Sequence, residues 1–383
     1  MIPYGRQDIS QTDIDAVAQV LRSDFLTQGP AVPRFEQAVA DRVGARHAVA
    51  VNSATSALHI ACMALDLGPG DLLWTSPITF VASANCARYC GADVDFVDID
   101  EDTFNLCPDL FAAKLDKARQ AGRLPKVLVA VHMCGQSPDM ARIAEIAQAY
   151  GVRIIEDASH SIGAAYLDRP VGSCAHSDIT VFSFHPVKII TTAEGGMALT
   201  QDTTLAARME RLRSHGITRD PDLMTHPPDG PWYYQQLELG WNYRMPDMQA
   251  ALGLSQMTRL DHFVARRRSL ADCYDSALGG LAIRLPGRLT GAESSWHLYV
   301  IRLEDASQHR AVFEGLREDG VGVNLHYIPV HLQPYYRALG FSPGQFPLAE
   351  EYYARAISIP LYPGMSAADQ GTVIAALERR LSA

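Results

Sequence analysis

The sequence predicts an α/β fold with a mostly parallel central sheet and a smaller C-terminal α+β domain. Between residues 47 and 200, short β-rich runs alternate with segments of helical periodicity, which is typical of a parallel sheet wrapped by helices. The 383 residues are also enough for two domains. We therefore expect a large domain at residues 1–250 and a smaller one at residues 251–383.

The first predicted element is a helix that precedes the sheet. Ser10 and Asp13 form a capping-box pattern, and Ile14, Val17 and Leu21 then share one helical face. We expect this helix to pack across the two domains.

The sheet region predicts six strands and four helices, each bounded by polar or glycine-containing turns. The strand candidates are HAVAV, LLWTS, VDFVDI, VLVAV, VRIIED and ITVFSF. The helix candidates are SALHIACMAL, FVASANCARYC, PDLFAAKLDKARQ and MARIAEIAQAYG. Their alternation indicates repeated βαβ units.

A long Pro-, Gly- and Asp-rich loop, TRDPDLMTHPPDGPWYYQ, follows the sheet region. After it, the segment from residue 245 to residue 278 predicts a long helix that can bend. The C-terminal domain is expected to contain SSWHLYVIRL, a helix near residues 308–318 and GVGVNLHYIPV.

Composition excludes several classes of partner. The formal net charge of -10 disfavours nucleic acids and anionic membranes, and no basic run is present to neutralise phosphates. With no signal-like or long apolar segment, we expect a cytoplasmic protein. Cys86 and Cys90 lie four residues apart, but they lack a second ligand pair, so we expect them to pack in the core and expect no metal site.

The segment NSATSALH ends a predicted strand in small polar residues that open a helix. Backbone N–H groups near Ser53, Ala54 and Thr55 can converge there on a phosphate, because a helix N-terminus favours an anion. N-capping by Ser53 or Thr55 is the simpler interpretation of the same residues. The motif alone leaves both interpretations open.

The segment VRIIEDASHSIGA places Asp157 at the carboxyl end of an apolar strand, where open α/β sheets bind ligands. A carboxylate there can keep a cationic ring nitrogen protonated, or it can simply cap the following turn. His160 can donate to a ring oxygen or can be a core histidine.

The segment ITVFSFHPVKIITTAEGGMALT embeds Lys188 between apolar runs. Desolvation favours the free amine of a lysine, which can form a Schiff base, and the double glycine allows close backbone approach. Ser183 and His185 lie just upstream, within reach of a phosphate or a substrate oxygen. A structural lysine that extends from a strand to solvent is the alternative. Together the three motifs predict a pyridoxal-phosphate site.

The order of these motifs resembles the DegT/DnrJ/EryC1/StrS sugar aminotransferases, a family of fold type I pyridoxal-phosphate enzymes. The resemblance covers nearly the whole chain, from LTQGPAVPRFEQAVA through SFHPVKIITTAEGGM and LGWNYRMPDMQAALGLSQ to HYIPVHLQPYY. The forms NSATSALH, SPITFVASANCA and FHPVKIITTAEGG are similar to those of transaminases in pseudaminic acid biosynthesis, which act on a UDP-linked 4-keto-6-deoxy-N-acetyl hexose.

The resemblance implies a role for each matching residue. Lys188 would bind the cofactor covalently, and Asp157 would pair with its ring nitrogen. The other cofactor-binding positions that it implies are Ser53, Ala54, Thr55, Phe80, His160, Ser183 and Asn242. Substrate-pocket positions are Tyr4, His185, His215 and His326.

Asn242 is expected to reach the cofactor phosphate of a neighbouring subunit, so the resemblance also implies a homodimer. L-glutamate is the implied amino donor, and the acceptor is the nucleotide-linked keto sugar. Phe80 stands where some relatives carry Trp or Tyr, which keeps a stacking surface without a polar group. Lys188 disfavours the dehydratase branch, in which histidine replaces the lysine.

Two other functions fit the same motifs. One is amino transfer to a different nucleotide-linked keto sugar. Substrate profiling distinguishes it from transfer to the UDP-linked 4-keto-6-deoxy-N-acetyl hexose. The other is a catalytically silent regulator that binds pyridoxal phosphate, because a fold can persist after its activity is lost.

Overall fold

The computed structural model of the protein describes residues 1–381. A seven-stranded sheet lies at the centre of the large N-terminal part. Its strands lie side by side in the order β1 (His47–Val51), β9 (Gly196–Thr200), β8 (Ile179–Ser183), β5 (Arg153–Asp157), β4 (Val127–Val131), β2 (Leu72–Thr75) and β3 (Asp93–Phe96). β9 runs antiparallel to both of its neighbours, and the other pairs are parallel. The predicted mostly parallel sheet is therefore confirmed.

Helices cover both faces of this sheet. The helices of the N-terminal part are α1 (Gln11–Leu21), which packs on a later helix, α2 (Ala31–Val43), α3 (Ala54–Ala64), α4 (Ala82–Tyr89), α5 (Pro108–Gln120), α6 (Met140–Tyr150) and α7 (Thr203–Leu212). β4 is buried along its whole length, and its alternate residues enter different cores. Val127 and Val129 pack towards α3, whereas Leu128 packs with Phe111 of α5. Cys86 is fully buried in the α3–α4 core, with Cys90 beside it, as expected for packing residues.

The predicted long helix is interrupted at Thr258 and Arg259. It forms α8 (Asp247–Met257) and α9 (Leu260–Leu278), which agrees with the expected bend. The first turn of α9 contributes Phe263 and Val264 to the core beneath the central sheet.

The C-terminal part combines a small antiparallel sheet with helices, as predicted. Its helices are α10 (His309–Glu318), α11 (Pro334–Arg337), α12 (Pro347–Arg355) and α13 (Ala367–Leu381). Its sheet consists of β12 (Ile283–Arg284), β14 (Tyr299–Leu303) and β15 (Ala356–Ile359). The remaining short strands are β6 (Ala165–Tyr166), β7 (Arg169–Pro170), β10 (Ile217–Thr218), β11 (Gln235–Gln236) and β13 (Ala292–Glu293).

The N-terminal helix packs differently from the pattern that its apolar residues suggest. The capping box of Ser10 and Asp13 is present, and α1 contacts α8 through the buried Asp13 carboxylate, which accepts from Ser255 Oγ at 2.6 Å. Ile14 and Leu21, by contrast, are about half exposed, at 52% and 56%. The apolar face of α1 is therefore left open in this chain. Packing of α1 across the domains and the boundary at 250/251 remain predictions.

No helix within residues 1–381 has both the length and the apolar character needed to cross a membrane.

Candidate active site

A cavity of about 810 Å³ opens at the carboxyl ends of β4, β5 and β8. This is the edge at which parallel α/β sheets bind their ligands. The predicted site residues that line it are Tyr4, Ser53, Ala54, Thr55, Phe80, Asp157, His160, Ser183, His185, Lys188 and His326. The topology thus collects residues from six separate stretches of sequence into one site.

The N-terminus of α3 forms one wall of the cavity. Ser53 is the N-cap of α3, and its hydroxyl accepts from the Ser56 backbone N–H at 3.1 Å. Ala54 and Thr55 form the first turn, whose N–H groups carry the partial positive charge of the helix. Capping and anion binding are therefore compatible here, because Ser53 caps the helix and also lines the cavity.

Gly196 brings β9 close to this helix start. It pairs with Val51 of β1 on one side and with Ser183 of β8 on the other. A Cβ at position 196 would meet the Ala54 nitrogen at 2.4 Å, so only glycine fits there. Ser183 and the first turn of α3 line the same cavity.

Asp157 ends β5 and is almost completely buried. One carboxylate oxygen accepts from Ser83 Oγ at 2.6 Å, and the other accepts from Ser159 Oγ at 2.5 Å. These hydroxyls hold the carboxylate in a fixed orientation at the cavity wall.

Lys188 lies on the turn between β8 and β9, not on a strand. Its backbone N–H donates to the His185 carbonyl at 2.9 Å, and Ile189 and Ile190 beside it are buried. Burial lowers the pKa of the Lys188 ammonium from 10.5 to about 8, against the attraction of Asp157. Near neutral pH the free-amine fraction of this lysine is therefore much larger than that of an ordinary lysine, as a nucleophilic lysine requires.

His160 is buried beside Lys188, and its Nε2 lies 3.2 Å from the Tyr327 hydroxyl. Burial lowers its pKa well below the usual range, and the nearby charge of Lys188 lowers it further. The imidazole is therefore uncharged at neutral pH.

Tyr4 and His326 form the far side of the cavity, with ring centroids 5.3 Å apart. The Nδ1 atom of His326 lies 2.8 Å from Ser358 Oγ, and burial lowers the pKa of His326 to about 3. Phe80 stands at the mouth of the cavity, 58% exposed, with its ring 6.2 Å from that of Tyr327.

Two predicted residues lie outside this cavity. His215 and Asn242 are both exposed, and Asn242 forms a β-bridge with Ser214, next to His215. The structure thus brings these two residues together on the surface, separate from the cavity of their own chain.

Sequence reasoning missed Tyr327 and His297 as cavity residues. Both belong to motifs quoted above, HYIPV and SSWHLYVIRL, but their place in the wall depends on contacts with a distant segment around His160. No local pattern identifies such contacts.

The sequence profile of the "DegT/DnrJ/EryC1/StrS aminotransferase family" matches residues 7–378. The chain belongs to this family. Among its relatives, the "Spore coat polysaccharide biosynthesis protein SpsC" of Bacillus subtilis is 39% identical, over 98% of this chain and 96% of that protein. The "UDP-4-amino-4,6-dideoxy-N-acetyl-beta-L-altrosamine transaminase" of Campylobacter jejuni is 36% identical, over 96% of this chain and 94% of that protein.

A solved structure agrees with the same assignment. The putative sugar aminotransferase Spr1654 of Streptococcus pneumoniae, in its PMP form, superposes with a TM-score of 0.91 at 29% identity and covers 100% of this chain and 99% of its own. The protein is therefore a fold type I, pyridoxal-phosphate-dependent sugar aminotransferase, as predicted.

The residues of the cavity fit this cofactor. Gly196 places no side-chain atoms beside the N-terminus of α3, which suits a phosphate. A buried carboxylate, a half-buried lysine of lowered pKa and the Nδ1 atom of His160, which is buried without a partner within residues 1–381, supply groups for the ring.

Proposed function

We propose that this enzyme transfers an amino group from L-glutamate to C4 of a UDP-linked 4-keto-6-deoxy-N-acetyl hexose, a step of pseudaminic acid biosynthesis for a surface polysaccharide. The name of the Campylobacter jejuni relative, at 36% identity, supports this acceptor. The cavity supports a sugar over an amino acid as acceptor. Amino-acid aminotransferases usually hold a substrate carboxylate with a fixed arginine, and no arginine lines the cavity in the described part of the chain.

In this proposal Lys188 and Asp157 carry the chemistry. Bound pyridoxal phosphate supplies an electron sink for the carbanion that amino transfer requires. Lys188 would hold the cofactor between turnovers, and its freed amine would carry the proton that amino transfer requires. Asp157 would pair with the ring nitrogen and favour its protonated form. The presence of both residues in one cavity supports an active enzyme over a silent regulator.

The remaining cavity residues bind and orient. Phe80 would provide a flat apolar surface for the ring, and His160 would donate to the ring oxygen. The first turn of α3 and the hydroxyl of Ser183 would hold the phosphate. Substrate contacts are proposed for Tyr4, His185 and His326 of this cavity and for His215, which lies outside it.

Covalent labelling tests the role of Lys188. The protein is expected to hold its cofactor through Lys188, and borohydride should make that bond permanent. Peptide mass spectrometry should find the reduced cofactor on the peptide that contains Lys188, and Lys188→Ala should fold but lose turnover by several orders of magnitude. A label on any other lysine contradicts the assignment.

Single-turnover mass spectrometry tests the acceptor. The aminated cofactor form of the enzyme is mixed with a panel of UDP-, GDP- and dTDP-linked keto hexoses, and the aminated sugar is identified. We expect the fastest transfer to the UDP-linked 4-keto-6-deoxy-N-acetyl hexose. Preferential transfer to another nucleotide or to a 3-keto sugar favours the alternative acceptor. A panel of amino acids in the reverse half-reaction tests L-glutamate as donor.

We also propose a cytoplasmic homodimer. Exposed apolar side chains support a second copy as partner, namely Ile14, Leu21, Phe25, Leu26, Trp232, Tyr234 and Leu239. His215 and Asn242 lie outside their own cavity, where they can serve the site of a partner.

A further inference from the structure

His297 is a buried histidine of the cavity wall to which the proposed function gives no role. Only 4% of it is exposed. Its ring centroid lies 4.4 Å from that of His160, with the two planes inclined at 46°. His160 in turn lies beside the Tyr327 hydroxyl. The imidazole of His297 therefore packs directly against the imidazole that faces the cofactor.

These two histidines, like His132 and His331, have a buried ring nitrogen without a hydrogen-bond partner in the described part of the chain. Within residues 1–381, the Nδ1 atoms of His160 and of His297 are both buried without a hydrogen-bond partner. Buried polar atoms are normally paired, because an unpaired one costs about 1–3 kcal/mol. In His160 and His297 the unpaired nitrogens lie on rings that pack against each other, so each imidazole can supply the partner that the other lacks.

The charges around His297 keep it neutral. Burial lowers its pKa well below the usual range, and the side chains that act on it further are Lys188, His160, Arg267 and His326. None of these is a carboxylate that would favour the imidazolium. A neutral imidazole keeps one N–H donor and one acceptor nitrogen, so it can relay a hydrogen bond without adding charge.

The backbone that carries His297 is held rigidly. The buried guanidinium of Arg267 donates to the carbonyls of Trp296 at 3.1 Å, His297 at 3.1 Å and Leu361 at 2.9 Å. Gly135 packs against the same turn. A Cβ added at position 135 would lie 2.9 Å from the backbone nitrogen of His297. These bonds tie the carbonyls of residues 296 and 297 to a buried arginine of α9, which defines the position of His297 closely.

We propose that His297 is a positioning residue of the cofactor site, whose uncharged imidazole orients the His160 imidazole that faces the cofactor's ring oxygen. The inference rests on the role proposed above for His160. It assigns to His297 no contact with the substrate or the cofactor.

The test is the pH at which the absorbance of the bound cofactor changes form, measured in His297→Phe. Phenylalanine keeps a ring but removes both nitrogens. A donor to the ring oxygen stabilises the form with more negative charge, which is the deprotonated one. A less well-oriented His160 should therefore raise the pH midpoint, by about half a unit or more. His297→Gln retains a donor and an acceptor and should recover at least half of that shift.

His331→Phe is the matched control. His331 is also buried with an unpaired Nδ1 atom, but its Nε2 atom lies 3.0 Å from Glu350 and the residue does not line the cavity. Its replacement should lower the melting temperature without moving the absorbance midpoint. In the cofactor-free protein, His297→Phe should leave the melting temperature unchanged or raise it, because an unpaired buried nitrogen is removed.

The variant His160→Phe shows whether a negative result concerns the role of His160 or that of His297. If it leaves the midpoint unchanged, the proposed role of His160 is wrong and the inference falls with it. If it raises the midpoint while both His297 variants leave it unchanged, only the positioning role of His297 is wrong. If both proposed roles are correct, the double variant His160→Phe/His297→Phe should shift the absorbance midpoint no further than His160→Phe alone.

Discussion

Gly196 lies directly against the backbone of Ala54, at the start of the helix that we propose binds the cofactor phosphate. A Cβ at position 196 would approach the Ala54 nitrogen to 2.4 Å and the Ser53 carbonyl carbon to 2.5 Å. These are backbone atoms, which cannot move aside as the end of a flexible side chain can. The glycine therefore determines how closely β9 and α3 approach each other.

Gly196→Ala should weaken cofactor binding more than it weakens the fold. Displacing the first turn of α3 costs about 1–3 kcal/mol, as overpacking does elsewhere, and the loss falls on the phosphate contacts. We expect the dissociation constant of pyridoxal phosphate, measured by absorbance titration, to rise about tenfold or more.

Gly371→Ala is the control for that substitution. Gly371 lies on α13, and a methyl group added there would meet no non-local atom within 4 Å, so alanine should slightly stabilise the helix. An unchanged dissociation constant in Gly196→Ala would show that the phosphate binds elsewhere.

Local sequence patterns predicted most of the central sheet, but β9 was missed. VLVAV and RIIED are short apolar runs between turns, and each became a strand. β9 begins with Gly196, and glycine weakens any local strand signal. Its strand conformation depends on pairing with β1 and β8, which are distant in sequence.

The candidate site likewise contains residues that local patterns predict and residues that they do not. Lys188 and Asp157 were predictable because a lysine among apolar residues and an acid at a strand end are locally unusual. His297 and Tyr327 could not be found from local patterns, because a histidine within SSWHLYV reads as an ordinary core residue. Only the packing of the C-terminal segment against His160 places them in the wall.

Asp157→Asn should lower turnover by about a hundredfold or more, since a neutral amide cannot keep the ring nitrogen protonated. The fold should persist, because the amide oxygen can accept from one of the hydroxyls of Ser83 and Ser159 while the amide NH2 donates to the other. Turnover and the cofactor absorbance spectrum are the measurements. Asp178→Asn, which removes a carboxylate paired with Arg153 at 2.8 Å, is the matched control. If both variants behave like the parent, Asp157 serves only as a cap.

The rate of covalent cofactor capture by the cofactor-free enzyme should rise with pH. The free amine of Lys188 is the reactive form, and its pKa is lowered to about 8 by burial. The rate should therefore increase through pH 8 and then level off. Asp157 attracts the ammonium and so raises this pKa, which means that Asp157→Asn should move the midpoint to lower pH. A shift to higher pH would contradict the electrostatic account.

The same lysine should make stability depend on pH in the cofactor-free protein. Its pKa is about 8 in the folded state, below its ordinary value of 10.5, so between these values the unfolded chain binds more protons. Stability conferred through this group therefore rises as pH rises from 8 towards 10.5. Lys188→Met removes this pH dependence. In urea unfolding, the free energy of unfolding of the parent should therefore rise relative to that of the variant across this pH range. If the difference between the two free energies stays constant, the lysine is solvated.

Asn242 is predicted to complete the cofactor site of a partner subunit. It is exposed, it lies outside its own cavity, and its bridge to Ser214 holds it in an ordered segment just before α8. A two-fold axis would give each site one such contact. The alternative is that the side chain serves a turn of its own chain.

Mixing two inactive variants decides between these arrangements. In a dimer of Lys188→Ala with Asn242→Ala, a trans contact leaves one site with both lesions and the other with neither. Random exchange of equal amounts should then restore about a quarter of the parent activity, because half of the dimers are mixed and each has one intact site. Native mass spectrometry verifies the exchange, and Lys188→Ala mixed with Asp157→Asn is the control, since both lesions belong to one chain's cavity and no intact site can form. If exchange is complete and the first mixture stays as inactive as the control, Asn242 acts within its own chain.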